Sequence, residues 1–374
     1  MQFVDLKRQY NAYKQEIDIA IANVINSARF VMGPEIEELE TKLAEFVGTS
    51  HAIGVSSGTD ALLLSLMALD IKPKDEVITT PFSFIATAEV IVFLKARPIF
   101  VDIDPVTFNI DANLIEETIK ARLKQGANIK AILPVSLFGQ CADMDEINRI
   151  GSAYNIKVIE DGCQSFGAVY MGAMSCGLSD IGVTSFFPSK PLGCYGDGGM
   201  VFTNDHYLYE RIKRLRNHGQ SVKYKHHEIG LNARLDTIQA AVLLAKFPHF
   251  LEELEKRVTV ANIYTQLIEN RLKDKVLPPI VPEHQTSVFA QYTIRILDNK
   301  RDQVLKSLQK NQIPYAIHYP VPLHMQPSME ALGYKKGDFP IAEQASKEVL
   351  SLPMHPFLTI EEQEKIIDAI SNAY

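Results

Sequence analysis

Three stretches of this chain place residues capable of chemistry at the ends of apolar runs. The first is Ser185-Phe186-Phe187-Pro188-Ser189-Lys190, which closes a run beginning at Ile181. An isolated lysine is ordinarily solvated. One desolvated at a strand end has a depressed pKa and a free amine, the state that forms a Schiff base. The second is Val158-Ile159-Glu160-Asp161-Gly162-Cys163-Gln164. A carboxylate at the end of a buried strand is costly without a positive or hydrogen-bonding partner. If the strand continues, Glu160 and Asp161 point to opposite faces, so one can face a ligand while the other is structural or solvated. Read alone, this stretch is an ordinary acidic turn. The third is Gly54-Val55-Ser56-Ser57-Gly58-Thr59-Asp60, a strand, a small-residue turn and a helix start. Its free N–H groups and helix dipole suit a phosphate, although alone it reads as a helix capped by Ser57 or Thr59.

The three stretches explain one another when taken jointly. A phosphate cradle, an acid and a lysine at strand ends of one sheet are what pyridoxal phosphate requires. The amine holds its aldehyde, the acid keeps its ring nitrogen protonated, and the cradle binds its phosphate. A dinucleotide is excluded, because Gly193-Cys194-Tyr195-Gly196-Asp197-Gly198-Gly199 does not match G-x-G-x-x-G and does not follow the first strand.

The surrounding elements must position these residues. To about Phe46 the chain reads as helix, with Ile17, Ile21, Val24 and Ile25 on one face and a second helix opened by Gly33-Pro34 and closed by Gly48. From His51 short apolar runs alternate with amphipathic stretches: strands at 52–55, 76–79, 98–101, 131–135 and 157–159, with helices between. Crossovers of this length predict a mostly parallel sheet in an α/β layer over about 50–245, whose ligands collect at the carboxyl ends of the strands. From Asp236 the chain is helical, with a break at Pro248. Beyond it, a strand over 289–296, a helix over 302–310 and a rigid turn at Pro320-Val321-Pro322 predict a smaller α+β unit. The expected division is 1–248, a large cofactor-binding domain, and 249–374, a small C-terminal one.

Composition narrows the function classes. The 374 residues are 46% hydrophobic and 22% charged, an ordinary globular balance. A net charge of −7 offers no basic field for nucleic acid. No apolar run approaches the roughly 18 residues needed to cross a bilayer. The N-terminus has no secretory pattern, and four cysteines without a C-x-x-C pair indicate neither a disulfide framework nor a zinc ribbon. A cytoplasmic protein with no nucleic-acid, membrane or metal partner is expected. Adjacent His226 and His227 lack the spacing of helical metal ligands and read as a solvated loop. Cys163 and Cys194 read as small buried hydrophobes.

Further phrases accompany these motifs: Gly33-Pro34-Glu35, Pro81-Phe82-Ser83-Phe84-Ile85-Ala86-Thr87, Asp102-Ile103-Asp104-Pro105, Arg216-x-His218-Gly219 and Gly230-x-Asn232-x-Arg234-Leu235-Asp236. With them the chain resembles, over nearly its whole length, the DegT/DnrJ/EryC1/StrS family of nucleotide-sugar aminotransferases, fold-type I pyridoxal phosphate enzymes. The resemblance implies Lys190 as the Schiff-base lysine and proton shuttle, Asp161 as partner of the ring nitrogen and Gln164 as partner of the ring hydroxyl. It implies Phe84 stacked on the ring, and Gly58, Thr59 and Ser185 at the phosphate. Asn232 would reach that phosphate from the neighbouring subunit and Arg234 would line the partner's substrate pocket, so a homodimer with shared sites is implied.

The stretch Ile317-His318-Tyr319-Pro320-Val321-Pro322-Leu323-His324, with Pro188 to Gly199, is similar to enzymes that aminate UDP-2-acetamido-2-deoxy-3-oxo-glucuronate with L-glutamate. His318 and Tyr319 would then meet a donor or sugar carboxylate. The alternatives are another UDP- or dTDP-linked 3- or 4-oxo sugar, a sugar dehydratase of the same fold, and a non-catalytic cofactor-binding regulator. Dehydratase relatives typically carry His in place of the lysine, whereas Lys190 stands here.

Overall fold

The computed structural model describes residues 1–374. Three helices lead the chain: α1 (Leu6–Ala12), α2 (Lys14–Ser27) and α3 (Pro34–Val47). Pro34 starts α3 at a first-turn position, where its missing N–H costs nothing, and Gly48 ends it at φ 81°. On α2, Ile17 and Val24 are buried as their spacing predicts, but Ile25 turns outward.

The alternating region follows: β1 (His51–Val55), α4 (Gly58–Ala68), β2 (Glu76–Thr79), α5 (Ala86–Phe93), β3 (Arg97–Phe100), α6 (Ala112–Lys124), β4 (Ile129–Leu133), α7 (Met144–Tyr154) and β5 (Lys157–Asp161). A small hairpin, β6 (Val169–Tyr170) and β7 (Ala173–Met174), leads to β8 (Ile181–Ser185), β9 (Gly199–Thr203) and α8 (His206–Leu215). A second hairpin, β10 (Gln220–Val222) and β11 (Lys225–His226), precedes α9 (Thr237–Lys246). The main sheet has the order β1-β9-β8-β5-β4-β2-β3. Its neighbours are parallel except at β9, which runs antiparallel to both β1 and β8.

Side chains alternate across this sheet, as strand geometry demands. Ile53, Val77, Leu133, Ile159 and Val183 pack beneath α4, α5 and α8. Ala52, Ile78, Ile132, Val158 and Phe202 face the layer of α3, α6, α7 and α9. With both faces covered, an unpaired polar group can reach a ligand only at the strand ends.

A single 3-10 turn (Phe247–His249) joins α9 to α10 (Phe250–Arg271). Beyond lie β12 (Val276–Leu277), β13 (Tyr292–Ile296), α11 (Arg301–Lys310), α12 (Pro340–Glu348), β14 (Val349–Leu352) and α13 (Ile360–Ser371). The three strands form an antiparallel sheet with its own core of α10, α11 and α13 side chains. The strand expected from Phe289 begins only at Tyr292. Phe289 has φ 45°, and the backbone at 288–290 packs closely against Gly139, whose added Cβ would fall 2.6 Å from the Phe289 nitrogen.

Candidate active site

Glu160 and Asp161 part company at the end of β5. Glu160 lies on the face of Val158 and accepts hydrogen bonds from the Ser136 hydroxyl (2.8 Å), the Ser175 hydroxyl (2.8 Å) and the Cys176 N–H (2.7 Å). Burial pushes its pKa up, and its partners belong to the protein layer beneath. Asp161 lies on the face of Ile159 and is buried. Its Oδ2 accepts from the Thr87 hydroxyl at 2.9 Å and its Oδ1 from the Cys163 N–H at 3.2 Å.

Lys190 sits in the connection from β8 to β9. This connection is pinned by the Phe186 N–H donating to the Gly198 carbonyl and the Cys194 N–H to the Phe186 carbonyl, both at 2.8 Å. From α9, Lys246 Nζ donates to the Gly193 carbonyl (2.7 Å), and Gln239 Oε1 accepts from the Tyr195 N–H (2.7 Å). Although Lys190 keeps some exposed surface, protein crowds its amine. Desolvation pushes the Lys190 pKa down, with Cys163 and Asp161 near enough to act in the opposite sense. That shift favours the neutral amine.

The turn after β1 abuts the end of β8. A Cβ added to Gly58 would lie 2.8 Å from Ser185 Cβ and 2.9 Å from Cys163 Sγ, so only glycine permits this approach. Ser57 caps α4 by accepting the Asp60 N–H at 3.0 Å. The N–H groups of Gly58 and Thr59, as first helical residues, have no intrahelical acceptor. Ser185 Oγ accepts from the Phe187 N–H (3.2 Å), which leaves its own proton to donate.

The C-terminal region covers this cluster. Gln164 accepts from the Phe138 N–H (2.9 Å) and donates to the Tyr319 hydroxyl (3.1 Å). His318 Nδ1 is 2.9 Å from Ser351 Oγ, and burial plus the Lys190 charge pushes the His318 pKa down to about 4. The Leu323 N–H donates to the Pro81 carbonyl at 2.7 Å, tying this segment to the loop that carries Phe84, which is 56% exposed.

Lys190, Asp161, Gln164, Gly58, Ser185, His318 and Tyr319 thus converge within one chain, at the carboxyl ends of β1, β5 and β8, with Thr59 in the adjoining helix turn. Asn232 and Arg234 do not line that cluster. They border a cavity of about 480 Å³ with Ser56, Gly196, Asp197 and Gln239, and Arg234 donates to Asn217 Oδ1 at 2.7 Å. Sequence reasoning missed Thr87, Gln239 and Lys246. Thr87 lies inside a motif already noted, but nothing in spacing shows its bond to a residue 74 positions away. The donor set fits pyridoxal phosphate: a cradle that a Cβ at Gly58 would fill, a desolvated amine, and a buried carboxylate held by two donors.

Known proteins agree with that fit. Residues 11–371 match the DegT/DnrJ/EryC1/StrS aminotransferase family. The chain is 47% identical, over 100% of both chains, to the UDP-2-acetamido-2-deoxy-3-oxo-D-glucuronate aminotransferase of Pseudomonas aeruginosa. It is 44% identical, over 99% of its own length and 98% of the relative's, to a pleiotropic regulatory protein of Geobacillus stearothermophilus. Among solved structures it resembles a DegT DnrJ EryC1 StrS aminotransferase from Brucella abortus, with a TM-score of 0.95 and 39% identity over 100% of this chain and 99% of that one. It also resembles ntda from Bacillus subtilis with bound cofactor PMP, with a TM-score of 0.90 and 32% identity over 100% and 85%.

Proposed function

This chain belongs to the DegT/DnrJ/EryC1/StrS aminotransferase family, and from that premise we propose that it transfers the amino group of L-glutamate to UDP-2-acetamido-2-deoxy-3-oxo-glucuronate, working as a homodimer with shared sites. It is a pyridoxal phosphate-dependent sugar aminotransferase. The observation that carries the site assignment is the desolvated Lys190 amine beside Asp161, at the strand ends that also hold the Gly58–Ser185 cradle.

When bound, pyridoxal phosphate supplies an aldehyde that takes up amines and a ring that draws electrons from the carbon next to the nitrogen. The chain's own groups do the rest. The Gly58 and Thr59 N–H groups and the Ser185 hydroxyl would hold the phosphate, with Asn232 of a neighbouring subunit reaching the same group. Asp161 would face the ring nitrogen and keep a proton on it, Gln164 would orient the ring hydroxyl, and Phe84 would stack on the ring. Lys190, whose burial favours the neutral amine, would carry a proton between the substrate carbon and the cofactor carbon C4′, first with glutamate and then, in the opposite sense, with the oxo-sugar. Such positioned proton transfer contributes about 10²- to 10⁴-fold. Arg234 from the partner, with His318 and Tyr319, meets the carboxylate of donor or sugar.

To test this reading, the loaded protein is incubated with glutamate and the UDP-linked 3-oxo sugar acid, then with dTDP- and UDP-linked 3- and 4-oxo sugars lacking the carboxylate. Release of 2-oxoglutarate dependent on the sugar acid is expected. Equal turnover of sugars without the carboxylate would remove the substrate assignment. Lys190→Ala is expected to lose the visible cofactor band and turnover together. A second reading, a cofactor-binding regulator, is favoured by the name of the Geobacillus relative. It requires that no 2-oxoglutarate appear with any sugar.

A further inference from the structure

We propose that Thr87 is a positioning residue for the reaction: its hydroxyl, aimed by Ser83, fixes the Asp161 carboxylate against the cofactor's ring nitrogen. The inference rests on the reading of Asp161 as that nitrogen's partner.

Thr87 is 1% exposed and occupies the first turn of α5, where a helical threonine has no preceding helical carbonyl to bond. Its hydroxyl bonds outward instead, to Asp161 Oδ2 at 2.9 Å. A carboxylate accepts only, so the Thr87 proton is committed to Asp161. The Thr87 oxygen then accepts from Ser83 Oγ, 3.3 Å away and also buried. Direction is therefore fixed along the chain Ser83 to Thr87 to Asp161.

The other carboxylate oxygen receives the Cys163 N–H at 3.2 Å. One donor from α5 and one from the turn after β5 hold the two oxygens separately, which prevents rotation about the carboxylate axis. Each oxygen keeps lone-pair capacity for a third donor, such as a protonated ring nitrogen. β-branching adds rigidity, since Thr87 has few χ1 choices in a helix. A buried hydroxyl must bond something. What distinguishes this one is that its acceptor is the acid at the site and that a second buried hydroxyl, Ser83, helps hold its oxygen in place.

The test compares wild type, Thr87→Val and Thr87→Ser, each loaded with pyridoxal phosphate, by titrating the visible band against pH and measuring the cofactor dissociation constant. A carboxylate free to turn away leaves the ring nitrogen less firmly protonated. With less positive charge nearby, the linkage to Lys190 keeps its own proton to higher pH. Thr87→Val is expected to raise the midpoint by about half to one pH unit and weaken cofactor binding about 5- to 10-fold, with Thr87→Ser returning both to wild type. An unchanged midpoint in Thr87→Val overturns the proposal. So does a Thr87→Ser variant that shifts as far as valine, since serine keeps the hydroxyl and its bond to Asp161 would then not be what sets the midpoint. If Thr87→Val fails to fold, Ser83→Ala takes its place. It keeps Thr87 but removes its aim, and it must move the midpoint upward by a smaller amount. No movement overturns the proposal. A wild-type protein that forms no visible band overturns the parent reading, and this inference with it, whatever the variants do.

Discussion

Adjacent carboxylates at 160 and 161 define how far single residues could be read. Strand periodicity puts them on opposite faces, and it cannot say which face is protein and which is ligand. That depends on Ser136 and Ser175, which come from other loops and close around Glu160. Buried histidines are equally illegible, because their titration depends on neighbours from across the fold. His355 is 2% exposed, its Nδ1 has no partner, and burial pushes its pKa down to about 4, as it does for His318. A base whose folded pKa is depressed binds more protons when unfolded. Its stabilising contribution is complete above the ordinary histidine range and is lost as pH falls toward 4. Each such histidine withdraws up to about 1.4 kcal/mol per pH unit once the window is entered. Urea denaturation at steps between pH 6.5 and 5 should therefore show stability falling with acid, and His355→Gln should reduce that slope by about one proton. A slope identical to wild type would show that His355 is not held neutral.

Among the elements, the alternating strands and helices of 51–161 were legible because their crossovers fit the sheet they build. The Gly199–Thr203 strand was not. Its sequence joins a glycine-rich turn, and it enters the sheet antiparallel between β1 and β8, a place no crossover spacing indicates. That insertion brings Gly199 against the Ser57 backbone and helps seat the start of α4 beside β8: a Cβ at Gly199 would fall 2.5 Å from the Ser57 carbonyl carbon. The C-terminal cover was partly legible, since Ile317 to His324 stood out as a phrase. Its buried support did not: His324 Nε2 lies 3.2 Å from Glu343 Oε1 on α12. Because the cradle is an approach of two elements, its prediction belongs at this scale. Gly58→Ala must push α4 from β8, as the new Cβ meets Ser185 and Cys163 within 3 Å. An overpacking penalty of about 1–3 kcal/mol expressed at the site corresponds to about 5- to 150-fold weaker cofactor binding. Far-UV circular dichroism should remain that of wild type. Unaltered affinity would mean that the turn adapts without loss of its N–H geometry.

For the whole molecule, a net charge of −7 offers no basic field for a polyanion and leaves small phosphates open, and the candidate site offers local N–H and hydroxyl donors instead. The division at residue 248 remains a proposal: α10, α11 and α13 share a separate cluster beyond it, while Phe250 and Leu254 at the start of α10 still pack against the large sheet. Assembly is the property least legible within one chain, and two features bear on it. Asn232 and Arg234 face a cavity bordered by neither Lys190 nor Asp161. Val31 at that cavity's rim is 57% exposed, between the exposed Phe30 and Met32, a surface that a second copy would cover. In a twofold dimer each site would then join Lys190 of one subunit to Arg234 of the other. Lys190→Ala and Arg234→Ala, each inactive alone, provide the test when unfolded and refolded as an equal mixture. Half the dimers are then mixed, and each mixed dimer has one site with both residues intact, so activity should return to roughly a quarter of wild type. A refolded mixture as inactive as its parents would mean that Lys190 and Arg234 serve the same chain, and the shared-site dimer would have to be abandoned.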